Sequence, residues 1–131
     1  MYGHGFATLF LSEVYGMSSD RRVRQSLFNA IKVIVETQNK QGGWRYQPRK
    51  DEADVSVTVC QLMALRAARN AGVFVPDETV SRAVDYLHQS QNVDGGFMYM
   101  NEERESAFPR SAAAIVALYN AGESGTSEIE R

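Results

Sequence analysis

Asp51, Glu52 and Asp54 crowd into four positions, with Ala53 interrupting them. Carboxyls placed this close are the raw material of general-acid chemistry. A neighbouring charge or an apolar wall raises a carboxyl pKa until it can deliver a proton. The same run stands just before an apolar stretch, where an aspartate caps a helix and the positive helix end favours its charge. The cap is the reading adopted for Asp54. No catalytic role is assigned, and Asp51 and Asp54 are the candidates should one exist.

The other chemistry-bearing residues are few. Cys60 is the single cysteine, so no internal disulfide and no Cys-rich zinc site can form. It sits in an apolar run and reads as a core thiol. His4 and His88 have no partners at metal spacing, and His88 follows Asp85 by three residues as a solvated pair would. Zinc needs three or four converging ligands, which these residues do not supply. There is no Gly-rich phosphate loop, serine elbow or His-Glu-x-x-His motif. No metal and no cofactor are expected. Arg21, Arg22 and Arg24 form a basic run that reads as a solvated face.

Composition narrows the function classes. The 131 residues carry a net charge of −2, which argues against a nucleic-acid footprint. No apolar run reaches the roughly 18 residues of a membrane span. The apolar stretch 6–11 lacks a basic lead and soon meets Glu13, unlike a signal peptide. The compartment is left unassigned.

Five helices must position these residues. Apolar spacing predicts the first over 5–15, with Gly16 as its closing C′ residue. Ser18, Ser19 and Asp20 offer caps for a second running to about 38, with Val23, Leu27, Ile31 and Ile34 as its stripe. The third, 55–71, is apolar nearly all round and should lie inside. Pro76 and Asp77 open a fourth over 78–90, and a small-residue fifth covers 106–121. The order is inner, outer, inner, outer, inner.

Two loops repeat. Gln38, Gly42, Gly43, Trp44 and Tyr46 recur as Gln91, Gly95, Gly96, Phe97 and Tyr99, 53 positions on. A period near fifty marks a helical repeat. The glycines allow the left-handed turn that reverses the chain, the glutamines can bond open helix-end groups, and the aromatics fill the space between hairpins. The repeats divide as about 5–53, 54–105 and a truncated 106–131. Residues 127–131 stand where a third outer helix would begin, so the single segment is expected to be a fragment of a longer chain or a protein ending mid-repeat.

Gln-x3-Gly-Gly-Trp/Phe on a two-helix repeat resembles the QW-type repeats of the terpenoid cyclase and protein prenyltransferase superfamily. The closest likeness is to the bacterial prenyltransferase and squalene oxidase repeat proteins. Tyr2-Gly3-His4-Gly5, Asp54-Val55-Ser56-Val57-Thr58 and 63–72 also carry it. The resemblance implies an all-α fold of α/α toroid-type hairpins, here about two and a half repeats. Ala53 stands where the cyclases have their proton-donating aspartate, and the Asp/Cys/His zinc set of the prenyltransferases is missing. The expected function is therefore binding or assembly rather than catalysis by this segment alone. The alternative is a fragment of an isoprenoid-processing enzyme whose catalytic residues lie elsewhere. Tyr46, Met63, Tyr99, Phe108 and Tyr119 are candidate cavity-lining residues. The partners implied are an isoprenoid or other apolar ligand, and either neighbouring repeats or a second copy on the open ends.

Overall fold

The computed structural model describes residues 1–100 and 105–122. They form five helices: α1 Tyr2–Tyr15, α2 Arg21–Thr37, α3 Val55–Asn70, α4 Asp77–Gln89 and α5 Phe108–Ala121. Among the described residues there is no strand beyond two isolated antiparallel bridges, Trp44 with Asp54 and Gln91 with Phe97. The third outer helix expected over 127–131 lies outside the described residues.

Local chemistry sets the helix ends. The Asp20 carboxylate accepts from the Arg22 N–H at 2.8 Å and starts α2. Asp54 accepts from the Val57 N–H at 2.9 Å and starts α3. Gly72 and Gly122 close α3 and α5 in the left-handed region, at φ 88° and 99°. Gly16 does not follow that pattern. Its φ is −68°, so α1 ends right-handed. Helix α1 also begins at Tyr2, before the expected start at 5, because its glycines do not break it. A Cβ on Gly5 would lie 3.0 Å from Gln61 Nε2 and 3.3 Å from Cys60, so this glycine lets α1 approach α3 closely.

Helices α1, α3 and α5 pack side by side, with α2 against α1 and α3, and α4 against α3 and α5. α3 is central: Val55, Val57, Val59, Leu62, Ala64 and Leu65 are all buried. Its neighbours bury little, Gly5, Thr8 and Ser12 in α1 and Ala114, Ala117 and Leu118 in α5. α2 buries Leu27, Ile31 and Ile34 and leaves its other face wet.

The two Gly-Gly loops are bonded alike. Gln38 Nε2 donates to Gly42 O at 2.8 Å, and Gln91 Nε2 to Gly95 O at 3.1 Å. Asn39 N donates to Gly43 O, and Asn92 N to Gly96 O. The Trp44 N–H reaches Thr58 Oγ1 at 3.1 Å; the Phe97 N–H reaches Ser111 Oγ at 2.9 Å. Gly42 and Gly95 are left-handed at φ 97° and 81°. A Cβ on Gly43 would meet Ala53 at 2.6 Å, and one on Gly96 would meet Ser106 at 2.5 Å. Every partner is displaced by the same 53 positions. The first loop thus ties the end of α2 to the start of α3, and the second ties the end of α4 to the start of α5.

Candidate functional site: a groove across the inner helices

Parallel packing of α1, α3 and α5 leaves a groove of about 530 Å³ over their first halves. Leu9, Val59, Met63 and Ala113 form its apolar floor. Tyr2, Ser56, Tyr99 and Arg110 stand at the helix starts and make one end polar. Such a site suits an elongated apolar molecule with a polar end. Among the described residues no group of three or more His, Cys, Asp or Glu could hold a metal, and no helix is long and apolar enough to cross a membrane.

The loops deliver the polar end. Tyr99 follows Phe97, and its carbonyl accepts from the Val55 N–H at 3.0 Å, which fixes it over the start of α3. Its hydroxyl is hydrogen-bonded to the Tyr46 hydroxyl, its equivalent 53 positions earlier. Arg110 lies over the Tyr99 ring at 5.3 Å and donates to Phe97 O at 3.1 Å. Tyr46 packs near Tyr2 at 6.1 Å between centroids and takes the Arg45 guanidinium on its face. Tyr46 is thus at the rim, not in the groove. Burial raises the Tyr2 hydroxyl, and burial with the Tyr46 bond raises Tyr99, so both phenols stay neutral.

Of the expected cavity residues, Met63 and Tyr99 line this groove. Phe108 and Tyr119 do not. They are 86% and 62% exposed, on the flank of α5 that faces away from α3. Cys60 also departs from expectation. It is half-buried and lines the groove rather than the core. Burial first, then the Asp54 charge, pushes its thiol up, so it remains protonated and a poor nucleophile. Sequence reasoning missed Tyr2, Ser56, Arg110 and Ala113. One signal was present: Ser56, Cys60 and Met63 fall at helical spacing, and Cys60 plus 53 is Ala113.

Asp54 sits behind the polar end and is 0% exposed. Oδ1 makes the cap, while Oδ2 has no hydrogen-bond partner among the described residues. Asp51, by contrast, is exposed and pairs with Arg49 at 2.7 Å. Burial raises the Asp54 carboxyl from its ordinary value, against the Val57 N–H and the Arg45 guanidinium, which favour its charge. Folding therefore prefers the protonated form. That contribution is full below the unfolded value of about 3.9 and is lost as pH rises through the higher folded value. Asp54→Asn keeps an oxygen for the Val57 N–H and cannot ionise. Its stability relative to the parent should rise with pH across that window, by up to about 1.4 kcal/mol per pH unit. Thermal melts of both proteins from acid to neutral pH check this. A relative stability that falls with pH would show that the carboxylate is the form the fold prefers.

No family model matches the chain, and no curated protein or solved structure matches it.

Proposed function

We propose that the chain is a terpenoid cyclase/prenyltransferase-like helical repeat segment of the α/α toroid type, which binds an isoprenoid or similar apolar ligand without itself catalysing a reaction. The groove across α1, α3 and α5 carries this reading. Its mostly apolar lining from three helices and its one polar end fit an apolar chain with a single polar group. The staples recurring at 53 positions support the repeat architecture.

Farnesol, a linear isoprenoid alcohol, is the probe. Calorimetric titration should detect binding by the parent, and Ala113→Phe, which fills the floor, should weaken it at least about tenfold. Failure of the parent to bind, or equal binding by the variant, contradicts the reading.

A second reading has one observation in its favour, the buried and protonation-prone Asp54 with its open Oδ2. In that reading the segment belongs to a squalene cyclase-like or prenyltransferase-like enzyme whose other catalytic residues lie outside it. Three features weigh against chemistry within the segment. Asp54 is not among the residues lining the groove, Ala53 fills the cyclases' donor position, and the Cys60 thiol stays protonated.

A further inference from the structure

The inner row is built by one packing rule used twice. Each inner helix presents two flanks, and residues on a flank recur at i, i+4, i+7 and i+11. Met1, Gly5, Thr8 and Ser12 lie along the α1 side facing α3, and Val57, Gln61, Ala64 and Ala68 lie along the α3 side facing back. Gln61 Nε2 donates to Met1 O at 2.8 Å and lies where a Cβ on Gly5 would point, so these two flanks meet. On its other side α3 presents Val55, Val59, Leu62 and Arg66, while α5 turns back Arg110, Ala114, Ala117 and Ala121. Leu62, Arg66 and Ala121 line one small cleft, which places that second seam.

The correspondence continues past both ends. Adding 53 to the forward flank of α3 gives Phe108, Ala112, Ile115 and Tyr119. Subtracting 54 from its backward flank gives Gly3, Ala7, Phe10 and Val14. Among the described residues these two flanks are the open ones, with Phe108 86% exposed, Tyr119 62% and Phe10 65%, while Ile115 is partly buried against the core. Neither set contains a charge.

We propose that these two flanks bind each other, so that copies of this chain assemble head to tail with α5 of one against α1 of the next. The occupant is a second copy because each open flank stands, in the 53-position register, as the partner of the open flank on the opposite side of the row. In the seam between α1 and α3, Gln61 sits against Met1 and Gly5. The same register sets Ala7 against Phe108 and Ala112, with Phe10 filling the space beside Ala112. Large residues then face small ones, as in the seam between α3 and α5, where α3 buries Val55, Val59 and Leu62 and α5 buries Ala114 and Ala117. The contact is heterologous, so it propagates rather than closing on a simple two-fold pair. It does not depend on what the groove binds.

Sedimentation of the full chain, of Phe10→Glu, of Phe108→Glu and of their equimolar mixture tests this. The parent should rise above the monomer mass of 14.6 kDa as concentration increases. Each variant damages one flank and should remain monomeric with unchanged helical circular dichroism. The mixture retains one intact flank of each kind, so it should form a dimer and nothing larger. A monomeric parent overturns the proposal. So does a single variant that still assembles, since its one intact flank or another surface then suffices, or a mixture that stays monomeric, since the two intact flanks then do not bind each other. Ala7→Glu and Tyr119→Glu repeat the test at a second exposed position on each flank if either first variant loses its helix signal.

Discussion

Trp44→Ala is expected to cost roughly 3–5 kcal/mol of folding stability, among the largest effects of any single change in this chain. Trp44 is 1% exposed and lies in the central core cluster with Leu27, Ile34 and Leu65. Removing it opens a cavity bounded by helices that are already fixed at both ends by the loop staples, so collapse can recover little. The indole also donates from Nε1 to Ile34 O at 2.8 Å, and truncation removes that bond and leaves the longer one from the Thr37 hydroxyl at 3.4 Å near the end of α2. Denaturant unfolding of parent and variant measures the loss. A change below about 1 kcal/mol would mean that the ring does not hold the hairpin together.

Gly42→Ala should be nearly as severe, for a different reason. Gly42 is held at φ 97°, and its missing Cβ would fall 2.1 Å from Arg82 O and 2.7 Å from Arg82 C. Left-handed strain alone costs about 1–2 kcal/mol. Here the backbone of α4 must also move, at about 1–3 kcal/mol for overpacking, so a total near 2–5 kcal/mol is expected. Moving α4 also strains the Arg82 bonds to Asn39 O and Gln38 Oε1, which tie that helix to the first loop. Gly72 supplies the control. It is left-handed at φ 88° with nothing within 4 Å of its Cβ position, so Gly72→Ala carries strain without a clash. Equal unfolding free energies for the two variants would contradict the close approach of α4 to the loop.

Much of the architecture could be read from residue order. The stripes of α2 and α4 alternate with wet faces, and Asp54, Gly72 and Gly122 mark ends by local chemistry that needs no tertiary partner. The copied loop placed Gln38 and Gln91 at matching bonds because both glutamines answer the same local geometry. The first helix was harder. Gly3 and Gly5 look like breakers in a window, yet Gly5 is required by the approach of α3, a contact that no local pattern reports. The groove was the least legible part. α3 is apolar nearly all round, so periodicity does not say which of its faces is open. Cys60 was therefore assigned to the core although it borders the groove. Phe108 and Tyr119 are cavity candidates only by their aromatic character, with core packing as the default, and they lie on an exposed flank instead, because aromatic character alone does not distinguish a ligand wall from an unpaired edge. Only the 53-position register, combined with the flank that α3 uses, separates the two.

The most direct test of the binding proposal is a farnesol titration followed by methyl NMR. The account predicts shifts at Leu9, Val59 and Met63, which share the groove, with none at Val35 and Val73, which line the separate cleft against α2. Shifts confined to that second cleft, or no shifts at all, would contradict it.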